Sequence, residues 1–189
     1  MLADSCLTVN GVIVPVSFVS PVQINAQLPF QVDGNAEIVL RTPGGVSDAL
    51  RFTILPGAPS VFRSGAAGPE TGIPTIFRAA NNDLATISNP IHPDDRITIY
   101  LTGLGLTFPE IPAGVAAGAN PLSQALVTPT VTLGGTPLFV EFAGLTPGLA
   151  GVYQINAIVP FKGIPTGFEI PLAISQGGLT TTVPVRVVN

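Results

Sequence analysis

The chain has 189 residues, with 21 glycines, 20 prolines, 10% charged side chains and a formal net charge of −4. Gly and Pro fall every few residues, which argues against a helical protein: a Pro inside a helix costs about 3 kcal/mol and a Gly about 1. The seven basic residues are spread singly, so no patch is available to neutralise phosphates and nucleic-acid binding is not expected.

Apolar residues make up 46% of the chain, enough to build a core. In chain order, strands are expected near residues 6–10, 12–18, 22–28, 36–42 and 46–55, then 96–101, 128–133, 136–142, 152–159, 168–174 and 179–188. Each is short, rich in β-branched residues and bounded by turn residues. Asn10-Gly11 and Gly134-Gly135 read as tight hairpin turns. Pro43-Gly44-Gly45 and Gln176-Gly177-Gly178 mark the last hairpin of each half. Residues 57–90 read as a connector with a small hairpin around Asn81-Asn82-Asp83. Within it, Val61-Phe62 and Ile76-Phe77 are expected to be buried and to pin the connection, fixing the interdomain angle. Otherwise the Pro/Gly-rich stretch 55–74 would be a flexible linker.

The mean hydropathy of +0.55 raises the membrane question. A spanning helix needs about 20 largely apolar residues, and residues 12–19 are interrupted by Pro15 and Ser17. A membrane barrel would want aromatic girdles, yet there is no Trp and only Tyr100 and Tyr153. No membrane span is expected. Cys6 is the single cysteine, so no disulfide forms within the chain. Residues 1–5 lack the basic and apolar regions of a signal peptide. The chain therefore reads as cytosolic, or as a piece of a longer secreted one.

Self-similarity is the most informative feature. Gln23-Ile24-Asn25-Ala26-Gln27-Leu28-Pro29-Phe30 recurs as Gln154-Ile155-Asn156-Ala157-Ile158-Val159-Pro160-Phe161. Upstream, residues 8–18 align with 132–142. Downstream, Gly44-Gly45 aligns with Gly177-Gly178. Val46, Leu50, Phe52 and Ile54 then fall on Leu179, Val183, Val185 and Val187, so both copies are expected to bury the same face. The reading is an all-β chain of two tandem Ig-like β-sandwiches from an internal duplication. Residues 1–56 form a sandwich lacking its leading strand, 57–90 the connector, and 91–189 a second, complete sandwich. Its leading strand, 96–101, buries Ile97, Ile99 and Leu101.

Candidate sites are sparse. His92 is the only histidine and lies beside Asp94 and Asp95, but no Gly-x-Ser-x-Gly elbow exists, and a surface-loop role is expected. Asn81, Asn82, Asp83, Asp94 and Asp95 offer oxygen ligands for Ca²⁺, yet the alternating D-x-[DN]-x-[DN]-G pattern is absent, so turn chemistry is the expectation. One Cys and one His cannot close a zinc site. Gln23, Asn25, Gln154 and Asn156 form polar stripes that could meet a sugar or a partner; the expectation is that they satisfy loop backbone groups. Sugar-binding sandwiches use aromatic platforms, whereas most of the ten Phe fall at strand-like core positions. Lys162, the sole lysine, could in principle form an isopeptide; a solvated loop lysine is the default.

Several segments together carry a resemblance: Thr8-Val9-Asn10-Gly11, Phe18-Val19-Ser20-Pro21-Val22-Gln23-Ile24-Asn25, Thr42-Pro43-Gly44-Gly45, Ile99-Tyr100-Leu101-Thr102-Gly103-Leu104-Gly105 and Gly151-Val152-Tyr153-Gln154-Ile155-Asn156. With Gly144-Leu145-Thr146-Pro147-Gly148, the chain resembles an uncharacterised family of tandem IPT/TIG-like, Ig-type domains. That family lies at the C-terminal ends of large secreted proteins of soil bacteria, especially acidobacteria. The resemblance implies the fold and an extracellular or cell-surface setting, and no activity. In that family the first domain also opens with a strand like 96–101, so this chain looks like a fragment or a shortened version.

The expectation is thus a non-enzymatic structural, spacer or adhesion module with no cofactor, no metal and no catalytic residues. Its partners would be protein or polysaccharide at the cell surface or matrix. The rival readings are a polysaccharide-binding module and, less favoured, an enzyme. Self-association through the open edge of the first domain is expected, or completion of that domain by a strand from another molecule.

Overall fold

The computed structural model describes residues 4–64 and 72–189. In them all regular structure is β, arranged in antiparallel sheets that pack as sandwiches. No helix among the described residues is long and apolar enough to cross a membrane.

The larger sandwich has one sheet in the order Asp83–Leu84, Ile76–Arg78, Arg96–Thr102, Tyr153–Ile158, Phe139–Leu145, Gln124–Ala125, Thr107–Phe108. The second sheet runs Thr136–Pro137, Thr130–Leu133, Gly167–Gln176, Leu179–Val187. Alternation decides what lies between them. Ile97, Ile99 and Leu101 point inward with Ile155 and Ala157, against Leu133, Leu172, Ile174 and Val183 from the facing sheet. All are essentially removed from water, each large one stabilising by about 1.5–3 kcal/mol.

The described part of the expected connector is built into this larger sandwich. Ser60–Val61 and Ile76–Arg78 both pair with Arg96–Thr102, and Val61 and Ile76 enter the core. Their neighbours do not: Phe62 is exposed and Phe77 half-buried. Successive residues of a strand face opposite ways, so neither pair can be buried whole. The small hairpin is present, with Arg78 opposite Asp83 and Asn82 at a positive φ of 55°. Residues 65–71 of the stretch 55–74 lie outside the described residues.

The N-terminal strands form a thinner sandwich. One sheet joins Val12–Ile13, Cys6–Val9, Gly34–Thr42 and Gly45–Val46, with Leu50–Ile54 also on Gly34–Thr42. Facing it is a lone hairpin of Val16–Val19 and Ile24–Ala26. Its buried core is Val9, Val14 and Ala36, with Leu7, Val32, Ile38, Phe52 and Ile54 packed on it.

The same pairing order recurs in the larger sandwich. Cys6–Val9 lies between Val12–Ile13 and Gly34–Thr42, as Thr130–Leu133 lies between Thr136–Pro137 and Gly167–Gln176. Val16–Val19 pairs Ile24–Ala26 as Phe139–Leu145 pairs Tyr153–Ile158. Two details differ from the sequence alignment. Thr42 opposite Gly45 closes the turn Pro43-Gly44, whereas Gln176 opposite Leu179 closes Gly177-Gly178. The turn match is therefore shifted by one residue, and one extra residue between Val46 and Leu50 of the thin sandwich restores the match at Leu50 and Val183: Arg41 faces Val46 while Ile38 faces Leu50. The shared buried face also fails in part: Val183, Val185 and Val187 are buried, while Val46 and Leu50 are exposed.

Phenylalanine departs furthest from expectation. None of the ten is in the buried core, and Phe18, Phe62, Phe108, Phe139, Phe161 and Phe168 are exposed. Branched aliphatics fill the narrow gap between sheets instead. Phe139 follows the buried Leu138 and so faces out, and Phe168 lies under the Arg186 guanidinium, 4.5 Å from the ring centre.

Candidate functional site

His92 sits in a loop whose backbone is clamped. Arg78 on strand Ile76–Arg78 donates from Nε to Asp95 Oδ2 at 2.8 Å and from Nη2 to Asp95 Oδ1 at 3.0 Å. The His92 backbone N–H also donates to Asp95 Oδ2, at 2.7 Å. Arg78 Nη1 donates to Asn89 Oδ1, and Asn89 Nδ2 donates to the Leu84 carbonyl, both at 2.8 Å. Both side chains of the Arg78–Asp95 pair are nearly buried. The fork geometry of the guanidinium ties strand, hairpin and loop into one unit. The imidazole is not part of it: Nδ1 stands 3.7 Å from Asp95 Oδ2, too far for a hydrogen bond.

The oxygen-rich residues serve the same loops. Asn81 Oδ1 accepts from the Asp83 N–H at 3.1 Å, and Asn81 Nδ2 donates to Asn89 at 2.9 Å. Asp94 adopts a positive φ of 66°, a turn conformation that Asp tolerates. Among the described residues no group of three or more His, Cys, Asp or Glu could hold a metal ion. Lys162 is exposed in its loop, and Cys6 is a buried free thiol.

The polar stripes are partnered differently from expectation. Gln23 Nε2 donates to Asn25 Oδ1 at 2.6 Å, and Gln154 Nε2 to Asn156 Oδ1 at 3.4 Å. The amides thus bond along their own strand, not to loop backbone. In the larger sandwich a cross-strand donor joins them, Thr98 Oγ1 to Asn156 Oδ1 at 3.2 Å.

Two concave surfaces stand out. One, of about 480 Å³, is floored by Phe62, Phe77 and Tyr100, with Asn82 and Leu149 beside them. Phe77 meets Tyr100 edge-on, 5.7 Å between centres. The other, of about 610 Å³, opens between the two layers of the thin sandwich and is lined by Val19, Pro21, Val22, Ile24, Leu40 and Thr42. It lies beside the strand Ile24–Ala26, which among the described residues pairs with Val16–Val19 on one side only. The sequence reading expected an unpaired edge from the missing counterpart of 96–101; it did not find the aromatic hollow, which joins Tyr100 of Arg96–Thr102 and Phe77 of Ile76–Arg78 with Phe62, just past Ser60–Val61.

The sandwiches also touch. Gln27 Oε1 accepts from the Gly114 N–H at 2.7 Å, Gln31 Nε2 donates to Glu110, and Phe30 packs on the core of the larger sandwich. Pro15 abuts Gly114 so closely that an added Cβ would fall 2.8 Å from its Cγ.

No family model, no curated protein and no solved structure matches this chain.

Proposed function

We propose that the chain is a non-catalytic structural module, a tandem pair of Ig-like sandwiches derived by internal duplication. It serves as a spacer or adhesion piece of an exported bacterial protein, at the cell surface or outside the cell, as the IPT/TIG-like resemblance implies. The observation that carries this reading is the seam. Phe30, Gln27, Gln31 and Pro15 lock the thin sandwich onto the larger one, the arrangement a spacer needs to transmit position. The recurrent pairing order supports the duplication. Small-angle scattering tests the role: one fixed arrangement should fit the profile at low and high salt. A profile that needs an ensemble of interdomain angles would sink it.

The aromatic hollow favours a second reading, polysaccharide binding. Phe62, Phe77 and Tyr100 present ring surface beside the Asn82 amide, the pairing of stacking and hydrogen bonding that sugars use. Glycan-array binding lost in Tyr100→Ala would support it, and an array without hits would count against it.

A further inference from the structure

We propose that the free edge of Ile24–Ala26 pairs with the same edge of a second copy of this chain, antiparallel, with Asn25 opposite its counterpart. Four observations converge on that occupant.

The first is the direction of the backbone groups. The Gln23 and Asn25 carbonyls and the Gln27 N–H bond toward Ser20, Ser17 and Pro15. Peptide groups alternate along a strand, so the N–H and C=O of Ile24 and Ala26 aim at the opposite edge. No strand among the described residues pairs there.

The second is the internal template. Tyr153, Ile155, Ala157 and Val159 match Val22, Ile24, Ala26 and Leu28 in sequence. All four are buried beside Arg96–Thr102, whereas Val22, Ala26 and Leu28 are exposed and Ile24 is half-buried. The covering strand in the larger sandwich is antiparallel and aliphatic at alternate positions. Val22-Gln23-Ile24-Asn25-Ala26-Gln27-Leu28 has that same alternation, so a second copy supplies the missing chemistry.

The third is charge. Between Asp4 and Asp33 there is no Asp, Glu, Lys or Arg. Edge strands usually carry charges that block pairing; this one carries none.

The fourth is the polar face. Across from Asn156 the larger sandwich places Thr98 as a donor. With Asn25 facing Asn25, each amide donates to the other in that role, and Ile24 faces Ala26, keeping apolar residues on one face. This partner goes with the structural-module reading above, but its test is of association alone.

Sedimentation velocity over a range of concentrations should show a reversible dimer. Ala26→Lys sets a lysine against Ile24 on each side of the pair, the kind of edge charge that blocks strand pairing, and should weaken association roughly tenfold or more, with an unchanged circular dichroism spectrum. Asn25 would lie at a non-hydrogen-bonded pair, where side chains approach closely. Asn25→Cys should therefore cross-link to a dimer on mild oxidation, and Gln23→Cys should not. A chain monomeric at all concentrations overturns the proposal, as does a dimer indifferent to Ala26→Lys. A monomer that instead binds a peptide of residues 96–102 also overturns it, in favour of a donated strand. Each leaves the module reading standing, since a spacer needs no second copy; a catalytic turnover would do the reverse.

Discussion

Val22 and Tyr153 hold matching places in their hairpins, yet Val22 is 94% exposed and Tyr153 5%. The difference is one strand. Arg96–Thr102 lies along Tyr153–Ile158 and sets Leu101 opposite Tyr153, and nothing comparable among the described residues lies along Ile24–Ala26.

Unequal cores imply unequal stability. The thin sandwich buries Val9, Val14 and Ala36, against the extended aliphatic core of its neighbour. Calorimetry at low protein concentration should give two transitions, the thin sandwich melting first. Leu172→Ala, which empties a fully buried site, should cost about 2–5 kcal/mol in the upper transition alone. A single transition that Leu172→Ala shifts as a whole would contradict this.

The Arg78–Asp95 fork should be the most sensitive polar contact. Asp95→Ala leaves a nearly buried guanidinium without its carboxylate, and removing one partner of such a pair costs about 3–5 kcal/mol. Chemical denaturation should read that loss in the larger sandwich. His92→Ala should cost well under half as much, because the imidazole makes no hydrogen bond to Asp95. Equal losses would reverse the assignment.

Much of this was legible in the sequence, and the failures have physical causes. Alternation in residues 152–159 and 179–188 located strands because one face is buried and the other wet. Ser60–Val61 and Ile76–Arg78 read as connector in the sequence because strands of two or three residues beside Pro59 and Pro74 show no period. The one-residue shift at Gly177-Gly178 is hidden because an extra residue between Val46 and Leu50 changes register without changing composition. Most phenylalanines turn outward against expectation, Phe139 and Phe168 among them, because hydrophobicity does not say which face of a strand looks inward.

Gly103 and Gly105 are fixed by close backbone approach. A Cβ on Gly103 would lie 1.9 Å from the Ala58 carbonyl oxygen, and on Gly105 2.2 Å from that of Pro56. Both have positive φ. Gly103→Ala should break the bond from the Ala58 N–H to the Gly103 carbonyl and cost at least about 1–3 kcal/mol from the strained backbone alone. Faster amide exchange at Ala58 and Phe62, whose N–H groups donate to Gly103 and Tyr100, would be the signature; unchanged exchange and melting would refute it.

Burial pushes the Tyr153 phenol well above the ordinary tyrosine value of 10.0, and its hydroxyl donates to the Gly105 carbonyl. The folded state therefore holds this proton more tightly than the unfolded state. Its stabilising contribution is complete below pH 10 and declines as the unfolded chain ionises above it. The larger sandwich should lose stability steeply above pH 10, and Tyr153→Phe should flatten that slope, at a cost near neutrality of about 1 kcal/mol for the lost hydrogen bond. An unchanged slope in Tyr153→Phe would exclude the assignment.

In the proposed role of spacer, the two sandwiches should hold one fixed arrangement. Spin labels at Asp48→Cys and Lys162→Cys, both exposed positions, in a Cys6→Ser background, place one probe on each sandwich. Pulsed dipolar spectroscopy at low protein concentration should give a single narrow distance distribution, broadened when Phe30→Ala and Gln27→Ala open the seam. A broad distribution in the chain with the seam intact would contradict the account.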